Sequence, residues 1–296
     1  MAVVTGAGRG LGFAYARALA AAEASVVMND VDGDSVHDAA KAIESDGGVV
    51  AVHVGPVGTG ETADALVETA LDNFGRLDAM ITNAGVIRDR VLWKMTDDDF
   101  DQVVSVHLRG TFACARSAAI HFRDAGHGGR LILVGSPAGQ HGNFGQANYA
   151  ACKAGITAMT RTWAMELARS DVTVNCIIPT AATEMTKTIP IFAPHIEAWE
   201  KDGTPLPEWL RRDQALGSVD DVAPLVVFLA SDESSEITGQ TIGLGGDRLA
   251  LWSYPHEIAT VFRDGGWDAA GVASEFARHL GAMSQPYGIA MSEPKA

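Results

Sequence analysis

Residues Ala2-Val3-Val4-Thr5-Gly6-Ala7-Gly8-Arg9-Gly10-Leu11-Gly12 decide the fold. A short apolar run meets a glycine-rich turn, and an alanine-rich helix pattern continues from there to about Ala24. Glycine at positions 6, 10 and 12 lets the chain turn tightly and lets the backbone approach a large anion. The helix that opens after the turn offers that anion free N–H groups and the positive end of its dipole. Glycine-rich turns are common, but one set between a strand and a helix is the arrangement that cradles a dinucleotide pyrophosphate.

Outward from the turn, Ser25-Val26-Val27-Met28 reads as the next strand and ends in Asn29-Asp30. An acid about 20 residues past the turn binds the hydroxyls of an adenosine ribose and repels a 2′-phosphate. Asp30 therefore argues for NAD. Arg9, within the turn, argues for NADP, because a guanidinium there reaches a 2′-phosphate. A buried like-charge contact costs more than a partly solvated guanidinium gains, so NAD is the expected cofactor and NADP the alternative.

The same rhythm runs on. Helices are predicted at about 33–46 and 60–74, with strands at Val49 to Val54 and Ala79 to Thr82. Thr96 caps a helix whose first turn, Asp97-Asp98-Asp99, suits a helix N-terminus. That helix merges across Gly110 into another reaching about 124. Strand Arg130 to Val134, a long helix at 149–168, strand Val172 to Ile178, helix Val222 to Ala230 and strand Gln240 to Leu244 follow. Strands alternating with helices predict a Rossmann-type α/β fold: a doubly wound parallel sheet of about seven strands with helices on both faces. One dinucleotide-binding and catalytic domain, 1–246, is expected. Within it, residues 180–215 break the rhythm with several prolines, Trp199 and Trp209, and read as a substrate loop or lid. Residues 247–296 read as a helical extension packed on the domain or on a partner subunit. Its helices are expected near 254–263 and 268–280, with a frayed end from Gln285 to Ala296.

Composition narrows the function. A net charge of −15 over 296 residues excludes nucleic acid as an expected partner, because phosphate backbones select positive surfaces. It also disfavours an anionic membrane, and no apolar run approaches the roughly 20 residues of a spanning helix. Cys114, Cys152 and Cys176 lack metal-ligand spacing, as do His121 and His127, so no metal site is expected. The cysteines read as core residues of a reducing compartment. With no secretory pattern at the start of the chain, the expected location is the cytoplasm.

Tyr149 and Lys153 are four residues apart on a predicted helix, so their side chains share a face. Ser136 stands at the end of the fifth strand, 13 residues before Tyr149. A phenol with a pKa near ~10 is a poor base at neutral pH, and a neighbouring ammonium favours its phenolate. With the Ser136 hydroxyl to orient a carbonyl or alcohol oxygen, these groups suffice for proton transfer coupled to hydride transfer on a nicotinamide.

These motifs together resemble the short-chain dehydrogenase/reductase family over roughly residues 1–246. Its Thr-Gly-(x)3-Gly-x-Gly pattern is Thr5 to Gly12, its Asn-Ala-Gly element Asn83-Ala84-Gly85, its Ser/Tyr-(x)3-Lys set Ser136, Tyr149 and Lys153, and its element after strand six Asn175 with Pro179. The resemblance implies that Tyr149 is the general acid/base, that Ser136 positions the substrate oxygen, and that Lys153 binds the nicotinamide ribose and depresses the Tyr149 pKa. It implies cofactor contacts at Gly6, Arg9, Gly10, Leu11, Gly12, Asp30, Val57, Asn83, Ala84, Gly85, Tyr149, Lys153 and Pro179. Within the family, the blocks Asn83 to Arg90, Val106 to Gly110 and Gly142 to Tyr149 are most similar to the (3R)-hydroxyacyl-CoA dehydrogenase modules of peroxisomal multifunctional enzymes of type 2. An acyl-CoA or steroid-like alcohol or ketone is the implied small-molecule substrate, and a homotetramer or dimer the implied assembly. The alternative within the family is an NADPH-dependent 3-oxoacyl or ketone reductase; a non-catalytic NAD-binding sensor is the rival outside enzymes.

The chain departs from the family pattern at several points. His107 stands where many members have an asparagine that holds a relay water; an imidazole shuttles protons near neutral pH, or simply bonds a backbone carbonyl. Pro56-Val57 replaces an acid that contacts adenine, and Thr180 follows Pro179 in place of glycine, leaving Thr183 or Thr186 to serve the downstream loop. Trp93 and Phe144 flank the Tyr149 segment as candidate pocket walls. Arg88, Arg90, Lys187, Arg211 and Arg212 are candidate phosphate partners for a CoA handle or plain surface charges.

Overall fold

The computed structural model describes residues 1–289. In chain order its elements are β1 (Ala2–Thr5), α1 (Gly10–Ala21), β2 (Val26–Asp30), α2 (Gly33–Ser45), β3 (Val50–Val54), α3 (Gly60–Phe74), β4 (Ala79–Thr82), α4 (Asp97–Val103), α5 (Gly110–Ala125), β5 (Gly129–Val134), α6 (Ala138–His141), α7 (Ala147–Leu167), β6 (Val172–Pro179), α8 (Ala193–Asp202), α9 (Glu208–Arg212), α10 (Ala223–Ala230), β7 (Thr241–Gly245), β8 (Arg248–Leu251) and α11 (Ala269–Glu275). The strands form one sheet in the order β3-β2-β1-β4-β5-β6-β7-β8. All neighbours are parallel except β7 and β8. The fold is the expected doubly wound α/β layer, and the order reverses between β1 and β4, where such sheets open a crevice beyond their C-terminal ends.

The central strands β1, β2, β4, β5 and β6 are apolar on both sides, and the pleat assigns successive residues to opposite faces. Val4, Met28, Ile81, Ile132 and Ile177 pack with Ala14, Tyr15 and Leu19 of α1, Ile43 of α2 and Val226 of α10. Val3, Val27, Met80, Leu131, Leu133 and Val174 pack on the other face with Leu66 of α3, Phe122 of α5 and Ile156 of α7. Cys114, Cys152 and Cys176 are buried free thiols. Thr96 caps α4 as expected, its hydroxyl accepting from the Asp99 N–H at 3.1 Å while the Asp99 carboxylate accepts from the Thr96 N–H at 3.2 Å.

Three features differ from the sequence reading. The expected merger across Gly110 exists, but residues Val104–Arg109 form a π-helical stretch between α4 and α5. The sheet has an eighth strand, β8, where the tail was expected to start; Gly246-Asp247 makes a two-residue hairpin turn with Gly246 at φ +50°, a turn glycine favours. Residues 254–263 are not helical. So short a segment needs tertiary packing to hold a helix, and Phe262 is 91% exposed. The second expected tail helix is present as α11 and a π-helical turn over Phe276–Leu280. Of the end expected to fray, residues 290–296 lie outside the described residues.

The excursion at 180–215 carries its own small core. Phe192, Ile196, Leu206, Leu210 and Leu216 are buried together, with Trp199 and Trp209 against them. Its neck is tied where the Ala182 N–H donates to the Gly217 carbonyl at 2.7 Å.

Candidate active site

The turn after β1 is held from below by β4. The Thr5 hydroxyl accepts from the N–H groups of Asn83 and Ala84 at 3.0 and 3.1 Å, and the Asn83 amide donates to the carbonyls of Thr5 and Gly6 at 3.0 and 3.2 Å. Gly10 has φ +56°, and a Cβ built there would meet nothing within 4 Å. Gly12 is the reverse case: a Cβ would collide with the Gly6 carbonyl oxygen. The turn is thus closed beneath and open above. The N-terminus of α1 has no side-chain cap and no acid in its first turn, so its N–H groups remain available to an anion. This cradle fits a dinucleotide pyrophosphate.

Asp30, at the end of β2, fixes the adjoining corner. Its carboxylate accepts from the Gly8 N–H at 3.0 Å and the Asp32 N–H at 3.1 Å. The Ser35 hydroxyl donates to the Gly8 carbonyl at 3.0 Å. Arg9 is exposed. Both Arg9 and Asp30 line one continuous cleft of about 1210 Å³, as do Gly6, Gly10, Leu11, Gly12 and Val57. The same cleft reaches Asn83, Ala84 and Gly85, then His107, Ser136, Tyr149, Lys153 and Pro179. The candidate catalytic and cofactor-contact residues of the sequence analysis therefore face a single space.

At the far end of that space, β5 delivers Ser136 and α7 delivers Tyr149 and Lys153. The Ser136 hydroxyl accepts from the Ala138 N–H at 3.2 Å. Lys153 is 3% exposed; its ammonium donates to the Val134 carbonyl at 2.6 Å and lies 5.6 Å from the centroid of the Tyr149 ring. Burial lowers the Lys153 pKa to about 8, because a desolvated ammonium loses its charge more easily. The Tyr149 phenol is pushed above its ordinary value, first by burial, with the Ser136 hydroxyl pulling the other way. Burial is the largest influence on the phenol, and the Lys153 ammonium is engaged by the Val134 carbonyl.

His107 comes from the π-helical stretch, where an extra residue per turn often re-aims a side chain at a functional site. Its Nε2 sits 2.8 Å from the Val86 carbonyl and 3.1 Å from the Val86 N–H, while Nδ1 is buried with no hydrogen-bond partner. Burial, then the Lys153 charge, lowers its pKa to about 3, so the ring is neutral at physiological pH. It meets Tyr149 edge-on, with ring centroids 5.1 Å apart. Gly85 provides the room, since a Cβ there would stand 2.5 Å from the His107 Cε1 atom. The backbone-bonded reading of His107 is the one this geometry matches.

Several side chains in the cleft were not singled out from sequence. Asn143 donates to Gln146 at 2.9 Å, and Gln146 donates to the Asp89 carboxylate at 2.8 Å; all three line the space. They lie within the blocks that carry the family resemblance, but nothing in their spacing signals a polar chain. Thr183 and Thr186 bond to each other and line the cleft, the Thr186 hydroxyl also reaching the Ala181 carbonyl at 2.9 Å. Trp93 and Phe144 are 78% and 85% exposed and lie outside the cleft lining. Of the candidate phosphate partners, Lys187 pairs with Glu184 and Glu200 at 2.7 and 2.9 Å. Arg211 pairs with Asp247 and Asp221, and Arg212 with Glu208. Those cations already have carboxylate partners. Among the described residues no His, Cys, Asp and Glu cluster is arranged to hold a metal, and no helix is long and apolar enough to cross a membrane.

Comparison with known proteins places this geometry in context. Residues 6–246 match a family model described as enoyl-(acyl carrier protein) reductase. The chain is 42% identical over 281 residues to the hydroxyacyl-CoA dehydrogenase ChsB1 of Mycobacterium tuberculosis, covering 90% of this chain and 84% of that protein. It is 37% identical over 270 residues to peroxisomal multifunctional enzyme type 2 of Mus musculus, covering 88% of this chain but only 34% of that longer protein. A crystal structure of a short chain dehydrogenase from Mycobacterium avium superposes with a TM-score of 0.83 at 33% identity, covering 97% of both chains.

Proposed function

This chain belongs to the short-chain dehydrogenase/reductase family and is an oxidoreductase interconverting hydroxyl and keto groups, and we propose that it oxidises (3R)-hydroxyacyl-CoA substrates with NAD. The observation that carries the proposal is the burial of Ser136, Tyr149 and Lys153 in the same cleft as the glycine turn and Asp30. The similarity to ChsB1 and to the peroxisomal enzyme supports an acyl-CoA alcohol over a hydroxysteroid. Support for NAD is the Asp30 carboxylate, which two backbone N–H groups hold at the cleft mouth and which repels a 2′-phosphate. The exposed Arg9 on the same cleft favours the second reading, an NADPH-dependent 3-oxoacyl or ketone reductase.

In the oxidative direction, the Tyr149 phenolate accepts the proton of the substrate hydroxyl, and the Ser136 hydroxyl orients the same oxygen. The nicotinamide dinucleotide, when bound, supplies the hydride acceptor. Lys153 stands beside the phenol and offers its ammonium to the nicotinamide ribose. The N–H groups at the start of α1 bind the pyrophosphate, and Asn83 keeps the turn closed beneath it. Val57, Ala84 and Gly85 would hold the adenosine side of the dinucleotide, and the backbone near Pro179 would hold its carboxamide. His107 holds the Val86 backbone beside Tyr149 and takes no proton in the reaction.

A homotetramer or dimer is part of the same reading. Its support is the outer face of α5 and α7, where Phe112 and Met165 are 43% and 74% exposed and Phe112 lies against Trp163. The three free thiols support a reducing, cytoplasmic setting. The deciding experiment follows NADH absorbance with 3-hydroxyacyl-CoAs of both configurations, hydroxysteroids and simple alcohols. Turnover of (3R)-hydroxyacyl-CoAs with NAD is expected. Turnover confined to steroids, or reduction supported by NADPH alone, would replace the proposal with a rival.

A further inference from the structure

We propose that Ile289, carried by the C-terminal segment across the loop after β5, is a wall of the substrate end of the cleft and sets the size of the apolar group accepted beside Tyr149. The inference rests on the dehydrogenase reading of the site, and concerns a residue far outside its motifs. Ile289 lines the cleft and packs, partly buried, against the cluster of Val103, Ala138, Tyr149 and Cys152, which Val86 also joins. Val86, Ala138 and Ile289 all line the cleft and pack in the cluster that holds Tyr149, so they give this end of the space an apolar surface.

The segment is tethered. The Gly288 N–H donates to the His141 carbonyl at 2.7 Å, and the His141 ring lies 5.3 Å from that of Trp252. His141 ends α6, which begins two residues after Ser136. Gly288 has φ +85°, a left-handed conformation that glycine adopts without strain; it lets the chain bend so that Tyr287, 95% exposed, points to solvent while Ile289 enters the cleft. A flexible acyl chain seated beside Tyr149 must pass Ile289, whereas a ligand confined to the glycine turn does not.

The test compares wild type, Ile289→Ala, Ile289→Trp and the control Tyr287→Ala on an acyl-length series of 3-hydroxyacyl-CoAs, with Kd for NAD measured in parallel. Ile289→Ala is expected to raise the kcat/KM ratio of the longest to the shortest substrate about fivefold or more. Ile289→Trp is expected to lower it, and Tyr287→Ala to leave it unchanged; no variant should move Kd for NAD more than twofold. A ratio unchanged in both Ile289 variants while wild type turns the series over overturns the inference and leaves the dehydrogenase reading intact. If wild type oxidises only other secondary alcohols, the acyl-CoA reading fails. The same ratio, taken on a small and a bulky member of the alcohols that do react, then decides the role of Ile289. Loss of structure is excluded by thermal melting, and a melt that moves together with a uniform fall in kcat/KM counts against the proposal.

Discussion

The two halves of the cleft are built differently. The cofactor half is backbone: a turn latched to β4 through Thr5 and Asn83, a helix terminus, and Asp30 held by two N–H groups. The half proposed for the substrate is side chains brought from afar: the excursion at 180–215 with its own small core, the polar chain of Asn143, Gln146 and Asp89, and Ile289 from the C-terminal segment. A site made of backbone constrains residue type at fixed spacing. A site made of distant side chains tolerates many sequences, so in the proposed reading the first half holds the dinucleotide and the second selects the substrate.

The sharpest way to separate the halves is to remove the phenolic oxygen at their junction. Tyr149→Phe is expected to cut kcat by about 100-fold or more and to leave Kd for NAD within about threefold. Single-turnover NADH formation and cofactor titration measure the two. A kcat retained above a tenth of wild type would move the acid/base role elsewhere. Because burial raises the phenol, oxidation in wild type should accelerate as pH rises toward the alkaline side, where more phenolate is present, and reduction should slow.

A smaller effect tests whether the cofactor half chooses its ligand by charge. Asp30→Ala removes the repulsion of a 2′-phosphate while Arg9 remains. The ratio of Kd for NADPH to that for NADH is expected to fall by about tenfold, about 1.4 kcal/mol. An unchanged ratio would show that Asp30 serves only the Gly8 and Asp32 N–H groups.

This division explains what sequence reveals. The glycine turn, Asp30, Asn83 to Gly85, Ser136, Tyr149 and Lys153 are legible because each answers a local demand, and all meet in the cleft. The alternation of Val3 with Val4, or Leu131 with Ile132, forecasts a sheet covered on both faces. β8 was hidden because four residues with two exposed leucines look like any surface stretch, although Gly246-Asp247 is a hairpin signal. The π-helical stretch at Val104–Arg109 leaves no mark in the pattern of apolar residues. Ile289 is beyond reach, since its place depends on contacts distant in sequence: the hydrogen bond from Gly288 to the end of α6 and packing against the Tyr149 cluster. The burial of the phenol is hidden for a related reason: a sequence shows the ammonium one turn away but not the desolvation that raises the Tyr149 pKa.

The substrate half can be loosened without touching the chemistry. Leu210 is fully buried in the lid core, and truncating a buried leucine costs about 2–5 kcal/mol. That loss falls first on the lid, which is tied to the sheet domain through its neck. Leu210→Ala is expected to raise KM for the acyl substrate several-fold, with kcat within about twofold and Kd for NAD unchanged. A parallel rise in Kd for NAD would show that lid and glycine turn are one cooperative unit.

The smallest effect concerns His107, which sits on the seam. With its pKa lowered to about 3 against about 6.5 in an unfolded chain, the unfolded state binds the extra proton first. Its contribution to stability is therefore complete above about pH 6.5 and is lost as pH falls toward 3. His107→Asn removes that titration and keeps an amide able to reach Val86. Turnover is expected to change less than threefold, because a ring bonded to the Val86 backbone and neutral throughout the working range carries no proton. The urea midpoint of wild type should fall more than that of the variant between pH 7 and pH 4.5. A parallel fall in both proteins would mean that the ring is solvated, and a large loss of kcat at unchanged stability would return His107 to the proton path.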